Sequence, residues 1–162
     1  MTYAQRNILL ENSGDGHFVD AAARAGPGFA GAHVSRGLAT GDDDNDGDID
    51  LLITRLDGPP LLLRNDSAGG SWLTVVLPAE AGGDTLIGTK VIVEAGGRKQ
   101  VRDVAAGGSF MSSHDPRPHF GLGSARVVDR LEVIWPGGAR TVMTGLEVNQ
   151  FLKVSKTPRD AR

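Results

Sequence analysis

Between Asp42 and Asp50 the chain reads Asp-Asp-Asp-Asn-Asp-Gly-Asp-Ile-Asp, six carboxylates in nine residues. They fit D-x-D-x-D-G-x-x-D, with acids at positions 1, 3, 5 and 9 and glycine at 6. A hard cation such as Ca²⁺ takes about six to eight oxygens at about 2.3–2.6 Å. A loop wrapped around it offers alternate side chains, a backbone carbonyl at position 7, and a glycine where it turns sharply. The spacing therefore predicts side-chain ligation by Asp42, Asp44, Asp46 and Asp50, with Asp48 giving its carbonyl and with Asp43 and Asn45 facing outward. A merely solvated acidic loop is the competing reading. It is disfavoured because like charges this dense repel unless neutralised, and strand-like segments on both sides force the loop to be compact. An EF-hand would need flanking helices and a bidentate Glu at position 12, which here is Ile53. Mg²⁺ fits less well, since it prefers few protein ligands and several waters.

A second group, Ser112, Ser113, His114, Asp115 and His119, invites a catalytic reading. Neighbours in sequence rarely converge as a triad, no G-x-S-x-G elbow is present, and Asp115-Pro116 reads as the start of a turn. No catalytic residue is assigned. Gly121-Leu-Gly123 is too short for a phosphate loop. His17 and His33 have no partner spacing and read as surface residues, while Trp72 and Trp135 read as core.

The elements that must hold the acidic loop are short. Ser35–Thr40 and Ile49–Thr54 flank it as strands. Upstream, Ile8-Leu9-Leu10, a turn over Asn12-Ser-Gly-Asp-Gly16, and Phe18 form a strand pair, followed by a helical turn or two over 19–25 that Gly26-Pro27-Gly28 should end. Leu61-Leu-Leu-Arg-Asn65 echoes Ile8-Leu-Leu-Glu-Asn12 at a spacing of 53 residues, a size that suits a repeated multi-strand unit. From Trp72 the segments lengthen: 72–77, 88–94, 99–104, 130–135, 141–144 and 151–155 alternate as strands. Gly96-Gly97 and Gly137-Gly138 supply the positive φ of hairpin turns. The fold class expected is all-β, partial propeller blades with a calcium loop followed by an antiparallel β-sandwich or small barrel.

Composition agrees and excludes other classes. Gly and Pro together make 31 of 162 residues, which in a non-collagenous chain means many tight turns. Outside the acidic loop 17 basic residues face 14 acidic ones, so the net charge of −3 is a local feature. No basic patch interleaves with aromatics, and nucleic acid is not an expected partner. The absence of cysteine excludes disulfides, zinc thiolates and cysteine nucleophiles. No apolar run approaches a membrane span, and the opening residues lack a signal-peptide core, so neither membrane insertion nor an export address is expected from them.

The set of motifs resembles a known pairing. Gly41-Asp-Asp-Asp-Asn-Asp-Gly-Asp-Ile-Asp-Leu-Leu-Ile-Thr54, with Ser35–Ala39 before it, resembles the calcium loop of FG-GAP (VCBS-like) propeller repeats, and Asn7–Asp20 looks like the preceding strand pair. Ile87-Gly-Thr-Lys-Val, Ala106–Arg117, His119-Phe-Gly-Leu-Gly123 and Val133-Ile-Trp-Pro-Gly-Gly138 together resemble the ASPIC/UnbV domain. The resemblance implies residues 1–68 as an FG-GAP-like region, 69–156 as an ASPIC/UnbV-like β domain and 157–162 as a frayed tail. It further implies a calcium-binding, non-enzymatic module for protein interaction or scaffolding, from the C-terminal part of a larger propeller protein, extracellular or periplasmic. Such a module would meet a protein partner or a second copy through open blade edges. A biosynthetic accessory protein or an enzyme with a pocket near Ser112–His119 is the alternative.

Overall fold

Glycine turns and period-two alternation give short strands throughout the computed structural model, which describes residues 3–67, 69–78 and 86–156. In the first half β1 (Gln5–Arg6) pairs with β4 (Ala32–His33), and β2 (Leu10–Asn12) with β3 (Phe18–Asp20), both antiparallel. Two 3-10 turns, Ala22–Arg24 and Pro27–Phe29, lie between β3 and β4. The first turn stops before Gly26, whose φ of 97° breaks the helical path as expected. Proline's fixed φ then opens a second turn, which the sequence reading did not include and whose Phe29 is buried.

The acidic loop joins β5 (Ser35–Gly41) to β6 (Asp50–Arg55), and β7 (Leu61–Leu63) completes a three-stranded antiparallel sheet in the order β5-β6-β7. The second half begins with β8 (Ser71–Val76). A four-stranded antiparallel sheet in the order β10-β9-β12-β13 uses β9 (Lys90–Ala95), β10 (Arg98–Asp103), β12 (Val127–Ile134) and β13 (Arg140–Glu147). A three-stranded sheet in the order β11-β8-β14 adds β11 (His119–Gly123) and β14 (Gln150–Lys153). The sheets do not close into a barrel, and the architecture is all-β and consistent with a sandwich. One pair departs from the antiparallel expectation: β14 runs parallel to β8.

The core lies in this half. Leu73 and Val75 of β8, Phe120 of β11, Val91 and Val93 of β9, and Leu131 and Val133 of β12 are sealed from solvent and pack as one cluster with Trp135. Each such side chain contributes about 1.5–3 kcal/mol on burial. Leu131 and Val133 share the buried face of β12, and Trp135, one residue past its end, continues that face as the alternation required. On the other face Glu132 is also shielded, held by Arg130 at 2.7 Å and Arg140 at 2.6 Å. Gly96 and Gly97 take φ of 56° and 74° in the β9–β10 turn, a conformation that suits a two-residue hairpin.

Candidate functional site

The acidic loop is folded on its own backbone. Asp42, at the start, accepts the amides of Asp46 at 3.1 Å and Gly47 at 3.0 Å, and Asp50, at the end, accepts the amides of Asp43 at 2.9 Å and Asn65 at 2.8 Å. Both carboxylates are buried, at 4% and 3% exposure. Asn45 and Gly47 take φ of 60° and 96°, which bend the loop back toward β6.

This folding gathers oxygens of Asp42, Asp44 and Asp50 within 4.8 Å of one another. Asp46 lies outside that trio and its Oδ1 accepts the amide of Asp48 at 2.9 Å. The Asp48 side chain is turned toward Gly69, where a Cβ would come within 2.7 Å of its Oδ1. Asp43 and Asn45 are both exposed, and the Asn45 side chain accepts a hydrogen bond from Arg117 at 2.9 Å. Desolvation, and after it the charge of Asp46, push the Asp44 carboxyl above the usual carboxylate range, and the same two causes act on Asp48. Arg64 approaches Asp44 at 3.8 Å while making its closer contact, 2.7 Å, to Asp66. Among the described residues no arginine, lysine or histidine forms an ion pair with the Asp42 or Asp50 carboxylate. Two shielded carboxylates and a third beside them are a donor set of hard oxygens suited to a divalent cation.

The segment 105–118 lies along the outer edge of β5 and spends its polar atoms there. Ser109 Oγ accepts the Leu38 amide at 3.2 Å, and Ser112 Oγ donates to the Leu38 carbonyl at 2.9 Å. His114 Nδ1 accepts the Thr40 amide at 3.1 Å, and the Asp115 amide donates to the Thr40 carbonyl at 2.8 Å. Gly37 is required for this approach, since a Cβ there would come within 2.6 Å of the Phe110 carbonyl oxygen. The group that resembled a catalytic set is thus a strap across a strand edge. Ser112 and His114 bond to backbone rather than to each other, and Asp115 pairs with Arg117.

A cleft of about 390 Å³ lies where strap, loop and β8 meet, with Arg102, His114, Arg117 and His119 among its walls. His119 is bonded to Thr74 Oγ1 at 2.9 Å and stacks on Trp72 with ring centres 6.1 Å apart. Burial lowers its pKa below the ordinary histidine value, against the opposing charge of Asp42. Trp72, expected in the core, instead stands half-buried at this junction, its indole against Gly47. His33 is not a lone surface residue either: Arg55 lies 2.9 Å from its Nδ1, and Asp57 3.4 Å.

Residues 80–161 match the profile of the family described as ASPIC and UnbV. The chain belongs to that family. Among curated relatives of this ASPIC and UnbV protein, cartilage acidic protein 1 of Xenopus tropicalis is 31% identical over 146 residues, covering 83% of this chain and 22% of the relative. Cartilage acidic protein 1 of Homo sapiens is 42% identical over 64 residues, covering 40% of this chain and 10% of the relative. The chain therefore spans about a fifth of the frog relative's length. Among the described residues no helix is long and apolar enough to cross a membrane.

The strap escaped the sequence reading because its partners lie 71 to 74 positions away along the chain. The glycines of β5 are the local signal that something packs against it: a Cβ at Gly37 would meet the Phe110 carbonyl, and one at Gly41 would come within 3.2 Å of the Asp115 side chain.

Proposed function

We propose that this chain is a calcium-binding, non-enzymatic β module for protein interaction or scaffolding, the C-terminal part of a larger FG-GAP propeller protein. The observation that carries this reading is the meeting of Asp42, Asp44 and Asp50 in one loop, two of them buried. These three would supply carboxylate oxygens to the ion, with Asp46 and the Asp48 carbonyl as the further ligands that the motif spacing offers. The ion would neutralise the loop and fix the β5–β6 connection. The three-stranded sheet β5-β6-β7 supports a blade, as does the equivalent local role of Asn12 and Asn65. Each asparagine accepts the amide two residues on, at 2.8 and 3.2 Å. The greater length of the relatives supports a larger parent protein, and a name that refers to cartilage supports an extracellular setting. β7 is an edge strand, with Leu62 on it exposed, and offers the place for a partner strand or a second copy.

The test is thermal melting in chelator and in calcium from micromolar to millimolar, with Asp44→Ala alongside. Binding to the native state adds RT ln(1 + [L]/Kd), about 2.7 kcal/mol at a hundredfold excess. A rise that the variant lacks is expected, and equal melting with and without calcium removes the reading. The cleft keeps one alternative in view, an enzyme or biosynthetic accessory protein working near Ser112–His119. Loss of turnover in folded alanine variants of His114, Asp115 and His119 would favour it.

A further inference from the structure

Arg117 sits on the strap yet makes its contacts in two directions. Toward its own segment the guanidinium pairs with Asp115, Nε at 2.8 Å and Nη2 at 2.5 Å from Oδ2, and its Cζ lies over the Phe151 ring, 5.2 Å from the centre. Toward the acidic loop it donates from Nη1 to Asn45 Oδ1 at 2.9 Å and from Nη2 to the Asp42 carbonyl at 3.1 Å. The loop atoms it touches are neutral acceptors. Its positive charge is matched by Asp115, and no Arg117 bond is made to the clustered carboxylates of Asp42, Asp44 or Asp50.

A bare guanidinium this close would oppose a cation, whereas a paired one can hold the loop backbone without competing for its carboxylates. Asn45 is held in a left-handed conformation between two of the clustered aspartates, so fixing its side chain fixes the bend that brings them together. At a second point the loop is confined by the Trp72 indole against Gly47, and Trp72 and Arg117 share Phe151 as a neighbour. The loop is therefore held at two points by the half of the chain that carries the sandwich.

We infer that Arg117, charge-matched by Asp115, is a positioning residue through which the C-terminal module sets the cation affinity of the acidic loop. The inference rests on the calcium reading above. By linkage the effect is reciprocal: cation binding tightens the seat of Arg117 as much as Arg117 tightens the cation.

The probe is terbium(III), which substitutes for calcium and is sensitised by a nearby indole; Trp72 is so placed. Titration of the full chain, confirmed by calcium competition, is compared with Arg117→Ala, Asp115→Asn and Asp44→Asn. Arg117→Ala should weaken binding about tenfold, the lower end of what second-layer partners of metal ligands contribute. Asp115→Asn, which keeps the guanidinium but unmatches its charge, should weaken it in a manner that salt relieves, and it serves if Arg117→Ala fails to fold. Slowing of Arg117 Nε–H exchange by calcium, absent in Asp44→Asn, is the reciprocal sign that a merely structural contact would not give. Wild-type binding with affinities unchanged in both Arg117→Ala and Asp115→Asn overturns this inference alone. No binding by the wild type overturns it together with the calcium reading.

Discussion

Gly47 lies so close under the indole of Trp72 that a Cβ added at residue 47 would overlap the ring, and its φ of 96° disfavours any L side chain. The glycine that the loop motif needs for a sharp turn is thus also the surface on which the loop and β8 meet. Gly47→Ala is expected to cost about 1–3 kcal/mol in backbone strain alone. It should also lift the loop from Trp72. Denaturant melting read by tryptophan emission checks both effects: a lower midpoint and a red-shifted native spectrum.

The strap covers the outer edge of β5 through Ser109 and Ser112 on Leu38. Replacing both serines with alanine removes two hydrogen bonds, each worth about 0.5–1.5 kcal/mol net, and frees the Leu38 backbone for another strand. The double variant should melt lower and self-associate with rising concentration. Sedimentation velocity across a concentration series, against the wild type, reads the second effect.

His119 gives a pH signature. Burial holds its folded pKa below the ordinary histidine value of about 6.5, so between the two values the unfolded chain binds more protons. The stability this histidine contributes is intact above about pH 6.5 and is lost as pH falls through that value toward the folded one. His119→Gln, measured in chelator so that ion occupancy plays no part, should flatten the fall in melting temperature from pH 7 to pH 5. An unchanged slope would assign the acid sensitivity elsewhere.

Thr89 is fully buried, and its hydroxyl has no partner among the described residues. Thr89→Val keeps the shape while removing a desolvated donor. A gain of about 1 kcal/mol is expected, read as a rise of about 2–4 °C in melting temperature.

Much of the fold was legible because its signals are local. Alternation placed β5, β6, β8, β9, β10, β12, β13 and β14 to within a few residues, and paired glycines marked the β9–β10 and β12–β13 turns. β11 carries a weak strand signal, since three of its five residues are His119, Gly121 and Gly123. Yet Phe120 and Leu122 alternate with them and are buried, a period-two signal masked by the glycines. The gathering of Asp42, Asp44 and Asp50 follows from loop spacing, whereas the bond from the Asp48 amide to Asp46 Oδ1 and the turn of the Asp48 side chain toward Gly69 depend on local geometry and on a segment across the junction. The seating of the loop by Arg117 and Trp72 joins distant segments, and no local pattern encodes it. The expected tail over 157–162 lies outside the described residues.

The parallel pairing of β14 with β8 has a mechanical meaning. Leu73 to Val76 face Gln150 to Lys153 in register, and the pair is extended at its two ends by Asn149 to Trp72 and Val154 to Val76. Tension applied between the start of β8 and the end of β14 pulls these strands along their length in opposite directions. All the rungs then bear load together instead of opening one after another, so the module should resist stretching along this line better than a pull that peels the two strands apart.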